Sequence, residues 1–204
     1  MRRSKADSLK TRQALLVAAR HEFARRGVSR TSMEHIARAA GVTRGAVYGH
    51  FRDKGALFQA MREHVKVPLV DVIDAALLDA PDRPLDGVQR YLLAVVEAMR
   101  DIPATRETFH ILLFKCEYVG DVKVELERQA ERVGELVEKL ERAFRAASRL
   151  GQLRARMPAR MAALETAAFL MGIVRLWLLD EAGTLMRREA SRLIRAHVAT
   201  LRKA

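Results

Sequence analysis

A single cysteine, Cys116, stands in 204 residues. No intramolecular disulfide can form, and a reducing compartment is the expected setting. Proline and glycine are scarce, at 5 and 11 residues, while the helix formers Ala, Leu, Arg and Glu abound, which favours an all-helical fold. Long hydrophobic runs are missing too. The most apolar stretch, residues 166–179 (TAAFLMGIVRLWLL), falls short of the roughly 20 residues a spanning helix needs and carries Arg175. A buried or subunit-facing helix is expected there rather than a membrane span. The basic residues at the N-terminus are followed by no apolar run, so no secretory signal is expected. The chain holds no Walker-type glycine loop, no His-x3-His pair and no Cys–His zinc pattern. Glu107-x-x-His110 has the spacing of half a helical di-iron site, but such sites need a second copy and two more carboxylates. The pair therefore reads as a surface or pocket pair. Cys116 lies beside Lys115 and could sense oxidation, but a single helical cysteine reads more simply as an inert small hydrophobe. These absences leave no catalytic residue, no metal ligand and no cofactor site to assign, and the chain is not expected to be an enzyme.

What is present is hydrophobic and unevenly charged. Half of the residues are hydrophobic, enough for a large core in one or two domains. Residues 1–66 hold 15 Lys/Arg against 5 Asp/Glu, a net of +10, whereas residues 67–204 hold 22 against 20, a net of +2. One end suits a polyanion and the other is close to neutral. The basic charges are interleaved with a helical apolar pattern, unlike those of a solvated tail.

Helix signals run along the whole chain, giving roughly nine helices and no convincing strand. The first is expected from Ser8 to Arg26, with Leu15, Leu16, Ala19 and Phe23 on one face and Gly27 as its left-handed stop. Thr31 and Glu34 read as a Thr-x-x-Glu capping box for the second helix, which Gly41 ends. Thr43 caps the third, expected to end near His50. A fourth, from Asp53 or Lys54, carries Leu57, Phe58, Met61 and Val65, and Pro68 should kink or restart it. After a loop at 80–84, helices are expected at 85–101 and 104–117. A long one follows at 121–150, with Val122, Leu126, Val133, Leu136, Val137, Leu140, Phe144 and Leu150 on its apolar face. Pro158 suits the first turn of a helix reaching Glu181, and the last helix covers 185–202.

The densest signal is TSMEHIARAAGVTRGAVYGHFRDKGALF, residues 31–58. Small Ala37 lets two short helices approach, Gly41 four positions on supplies the turn, and Val47 six further on locks the second helix against the first. Ile36, Val42 and Phe51 complete a miniature core. This is the pattern of a helix-turn-helix, whose second helix lies in the DNA major groove. Arg44, Gly45, Tyr48 and His50 are left facing outward. Arg44 can reach a guanine edge bidentately or clamp a phosphate. Tyr48 can touch a thymine methyl, Tyr48 and His50 can reach phosphate, and Gly45 lets the backbone come close. Thr31, Ser32 and Thr43 sit at helix starts that favour phosphate oxygens, and Lys54 and Arg12 are further phosphate candidates.

These motifs (a Thr-Ser start, IARAAGV, TRGAVYGHF, then a Lys before Leu-Phe) resemble the DNA-binding domain of the TetR family of bacterial transcription regulators. FKCEYVGD (114–121) and RLWLLDE (175–181) are similar to its AcrR-like branch, which represses multidrug efflux operons. The resemblance implies a cytoplasmic homodimer paired through its last two helices. It places a DNA-binding domain at 1–53 and a ligand-binding and dimerisation domain at 54–204. It also implies a palindromic double-stranded operator, and a small apolar or drug-like effector that releases it. Family DNA contacts carry over to Thr31, Thr43, Arg44, Tyr48, His50 and Lys54. Gly49 departs from the bulky aromatic many members have, which puts a familiar operator preference in doubt. For the effector pocket, Met99, Phe109, Leu112, Leu113, Val137 and Phe169 are the candidates, set against plain core packing. Two other readings stand beside the efflux repressor: a regulator of lipid or small-molecule metabolism from the same family, and a sequence-indifferent architectural DNA binder.

Overall fold

The described residues, 5–64 and 81–203 of a computed structural model, contain nine α-helices and no strand. They are α1 (Lys5–Arg26), α2 (Met33–Ala39), α3 (Arg44–Tyr48), α4 (54–64), α5 (Pro84–Asp101), α6 (Pro103–His110), α7 (Val124–Arg149), α8 (Ala159–Leu179) and α9 (Met186–Leu201). The all-α expectation holds. Pro68 and Val65 lie outside the described residues. Packing divides the chain into two compact units, residues 1–67 with 103–128 and residues 68–102 with 129–204.

In the first unit the apolar face of α1 forms as its spacing predicts. Leu15, Leu16, Ala19 and Phe23 are fully buried, and Phe23 meets Phe58 of α4 edge-on with ring centroids 5.6 Å apart. Ile36, Ala37, Val47, Phe51, Leu57 and Met61 join the same core, as do Ile111 and Val122 from later in the chain. Each large side chain so buried contributes about 1.5–3 kcal/mol. Gly27, at φ +83°, ends α1, and the next amide, Val28 N–H, donates to the Lys115 carbonyl at 2.8 Å. The helix expected at 104–117 is instead α6 followed by a π-helical turn, Ile111–Lys115. The same apolar residues thus follow a wider turn, and the Tyr118 hydroxyl closes the segment by donating to the Leu112 carbonyl at 2.9 Å. Glu107 of the expected Glu-x-x-His pair accepts from Arg20 Nε of α1 at 2.8 Å, and His110 packs its ring on Phe114 instead.

The turn between α2 and α3 is fixed by backbone geometry. Gly41 has φ +65°, its N–H donates to Arg38 O at 3.1 Å, and Val42 N–H donates to Ala37 O at 3.0 Å. These bonds satisfy the last carbonyls of α2. A Cβ at Gly41 would meet nothing within 4 Å, so the backbone angle alone demands glycine. Gly41→Ala is expected to cost about 1–2 kcal/mol through left-handed strain, read as a lowered urea midpoint with an unchanged m value. A neutral result would show that the turn relaxes to another conformation.

In the second unit α9 packs on both α5 and α8. Its buried Ala190, Ile194, Val198 and Leu201 follow helical spacing. On α7 the buried apolar set is Val137, Leu140, Phe144 and Ala147, while Leu126, Val133 and Leu150 of the expected stripe stay exposed. Pro158 is the N-cap of α8, one place before the first-turn position expected of it. With 21 residues, α8 is long and apolar enough to cross a membrane by length and composition alone. Its inner face, including Ala162, Ala163, Thr166 and Trp177, is buried in protein. No side chain caps α9 at Leu185; Asp180 collects the amides of Thr184, Leu185 and Arg187 at 2.9–3.1 Å instead. Those hydrogen bonds, the one from Arg187 foremost, hold its carboxyl below the usual range.

His197 of α9 stacks on Phe169 of α8 at 4.2 Å, with Nε2 3.0 Å from the Thr166 hydroxyl. Burial pushes its pKa below the ordinary value, against a weaker upward pull from Glu165. The folded protein therefore binds that proton less readily than the unfolded chain. Stability is expected to fall as pH drops below about 6.5, and His197→Gln should flatten that limb of the profile. Thermal midpoints between pH 7.5 and 5.5 check this; parallel curves for the two proteins would rule it out.

Candidate DNA-binding site

The outward surface of the first unit is built on two capped helix starts. Ser32, not Thr31, is the N-cap of α2: its hydroxyl accepts from His35 N–H at 3.2 Å, and His35 Nδ1 accepts from Ser32 N–H at 3.2 Å. The box expected of Thr31 and Glu34 thus slides by one residue. The reason lies in α1: the Thr31 hydroxyl is drawn inward to the carbonyls of Gly27 (2.7 Å) and Glu22 (3.3 Å), leaving the residue 2 % exposed. That hydroxyl faces the protein interior. Thr43 caps α3 as expected, accepting from Ala46 N–H at 3.2 Å.

α3 is short, and its buried Val47 leaves Arg44, Gly45 and Tyr48 exposed as the spacing predicts. It ends at Tyr48, two residues before the expected end, because Gly49 already serves as its C-cap. Nothing lies within 4 Å of a Cβ at Gly45, so this patch is open. The Arg44 guanidinium lies 5.5 Å over the Tyr48 ring, and its Nη1 donates to Glu34 Oε1 at 2.7 Å. Sequence reasoning missed Glu34 as a partner of Arg44; ten residues and a turn separate them, and no local spacing rule joins them.

Lys54 reaches back rather than outward. Its Nζ donates to Val28 O at 3.0 Å and Ser29 O at 3.3 Å, tying the start of α4 to the turn after α1. Arg12 lies exposed on α1 with its guanidinium 5.4 Å over the Phe51 ring. An open groove of about 460 Å³ runs there, lined by Arg12, His50, Gln59, Glu63 and His64 among others. The structure therefore brings Arg44, Gly45 and Tyr48 together on α3, gathers Arg12 and His50 at the groove, and leaves Ser32 and Thr43 exposed as caps.

The effector candidates fall in different places. Phe109, Leu112 and Leu113 are part-buried on α6 and the π turn, and Leu112 packs against the helix-turn-helix core. In the second unit Met99 and Val137 are buried core residues, and Phe169 is the stacking partner of His197. Burial raises the Cys116 thiol above its ordinary range, which lowers its reactivity.

Residues 15–61, which hold α2, α3 and their capped starts, match the model of the bacterial regulatory proteins of the tetR family. The C-terminal region of MAATS-type transcriptional repressors matches residues 83–203. The chain belongs to the TetR family. TetR-family proteins are transcriptional regulators rather than enzymes. The chain is 33% identical over 203 residues to the HTH-type transcriptional repressor BepR of Brucella suis biovar 1 (strain 1330), covering 99% of this chain and 97% of BepR. Among solved structures it is similar to NalD, the secondary repressor of the MexAB-OprM multidrug efflux pump in Pseudomonas aeruginosa. That match has a TM-score of 0.83 at 32% identity over 96% of this chain and 98% of NalD. It is similar also to SmeT of Stenotrophomonas maltophilia in complex with triclosan, with a TM-score of 0.83 and 28% identity over 95% of this chain and 92% of SmeT.

Proposed function

We propose that this TetR-family protein is a transcriptional repressor of a multidrug efflux operon, released from its operator by a small apolar ligand. The observation that carries this reading is similarity along nearly the whole chain to NalD and SmeT, repressors of multidrug efflux pumps, combined with an exposed Arg44–Gly45–Tyr48 surface on a capped recognition helix. Residues 1–53 carry the DNA contacts, and residues 54–204 carry the effector and dimer functions. α3 enters the major groove, with Arg44 reading a guanine edge and Ser32, Thr43 and Arg12 approaching phosphates. Lys54 contributes charge to that surface while its ammonium stays hydrogen-bonded to the turn after α1.

A homodimer presents two such helices to a palindromic site. Exposed apolar residues along α8 and α9, among them Met161, Leu164, Met171, Leu176 and Leu193, supply a face suited to pairing with a second copy. SmeT binds triclosan, a precedent for an apolar aromatic effector. Ligand acts by population shift, favouring a spacing of the two recognition helices that no longer fits successive grooves. Operator and ligand then oppose each other with equal coupling energy. The protein works in the cytoplasm, where its operator lies.

The test is a gel-shift titration on the DNA upstream of the protein's own gene, with and without a panel of apolar drugs. Tight, saturable binding that one or more drugs release is the expected result. Release only by metabolites, next to a metabolic operon, would move the reading to a metabolic regulator. Equal affinity for any duplex would replace it with an architectural binder.

A further inference from the structure

We propose that Glu34 is a specificity-determining residue that positions Arg44 and penalises its use on the wrong DNA; this rests on the reading of Arg44 as a base contact. Glu34 stands in the first turn of α2 and Arg44 opens α3, so the turn at Gly41 brings them face to face. The Arg44 Nη1–Glu34 Oε1 pair is 2.7 Å long, with side chains 65% and 60% exposed. An ion pair this wet contributes little to folding. Its effect is on where the guanidinium points.

A guanidinium has five N–H donors in a fixed fork, and Glu34 engages it through Nη1. The Nε–Nη2 edge remains open, and such a two-donor edge can meet a guanine O6/N7 pair. The Tyr48 ring, 5.5 Å below, restricts the guanidinium on its other side. Arg44 is thereby held ready for a base, with less rotamer freedom to lose on binding.

The same carboxylate acts against random sequence. A duplex that offers no guanine at the right place draws Arg44 toward a phosphate instead. That movement breaks the pair and leaves the Glu34 carboxylate facing a polyanion. On the right site Arg44 keeps its partner and Glu34 stays neutralised. Discrimination therefore comes from a repulsive element as well as an attractive one.

The experiment uses the full-length protein with two probes: a duplex that the wild type selects from a randomised library, and a randomised duplex of equal length. Glu34→Gln keeps an acceptor for Nη1 but removes the charge. It is expected to tighten binding to the random duplex, lowering the selected-to-random affinity ratio about tenfold. Arg44→Ala lowers the ratio too, and adding Glu34→Gln to it changes nothing further. The thermal midpoint of Glu34→Gln stays at the wild-type value, which a purely structural role for Glu34 would shift. If Arg44→Ala lowers the ratio while Glu34→Gln leaves it within about twofold, Glu34 has no part in specificity. If Arg44→Ala leaves the ratio intact, the base-reading role of Arg44 falls, and the role of Glu34 falls with it.

Discussion

Glu125→Ala is expected to cost about 3–5 kcal/mol of folding stability, a large share of the roughly 5–15 kcal/mol a domain has. Glu125 lies in the first turn of α7 with its side chain 1% exposed, and Arg62 of α4, 8% exposed, pairs with it at 2.8 Å. Arg128 also pairs with Glu125 and donates to Gln59 of α4 at 2.7 Å. Removing the carboxylate takes a counter-charge away from the buried Arg62 guanidinium, which the protein cannot resolvate cheaply. Urea unfolding measures the loss. The paired change Arg62→Met with Glu125→Leu is expected to recover most of it, because two apolar side chains need no compensation. The exposed pair Arg192–Glu189 gives the contrast, and breaking it should cost no more than about 1 kcal/mol. A loss below about 1 kcal/mol at Glu125 would mean that water reaches the site as the protein breathes.

Arg44→Ala is expected to weaken binding to the selected operator by about 1–3 kcal/mol, roughly 5- to 150-fold, and to relax preference at one base position. The change removes both the bidentate edge and the guanidinium stacked over Tyr48. Affinity for random duplex should fall much less, since one charge among the many basic residues of the first unit sets only part of the salt-dependent term. Equal losses on selected and random DNA would identify Arg44 as a phosphate contact.

The sequence made the helix-turn-helix legible because its constraints are local. Ala37, Gly41 and Val47 act through contacts a few residues away, and Gly27 and Gly41 take the left-handed angles that their positions after a helix predict. The apolar faces of α1 and α4 were equally readable. Where a residue had a choice of partner, pattern was not enough. Thr31 and Ser32 are both good caps, and the decision fell to carbonyls at the end of α1 that capture the Thr31 hydroxyl. Lys54 reads as an outward phosphate candidate, yet two carbonyls 25 and 26 residues away claim its ammonium. The stripe on α7 overreached because helical spacing says which residues share a face, not how far along the helix a neighbour covers it. Leu126 and Leu150 therefore stay exposed. The pairing of Arg62 with Glu125 lies beyond any spacing rule, since many Arg and Glu residues of identical local character compete in the sequence.

Ile111 and Val122 sit in the same core as Phe23 and Phe58, and Val28 is hydrogen-bonded to Lys115. This has a practical consequence for anyone recombining such regulators. A chimera that joins residues 1–66 to a foreign effector half would leave that core open on one side, with an unanswered amide at Val28. A functional hybrid must import residues 103–128 as well, so the natural unit of exchange is discontinuous in the gene. Inheritance of DNA specificity by domain shuffling would thus require three crossovers, one on either side of α5 and one within α7, rather than one.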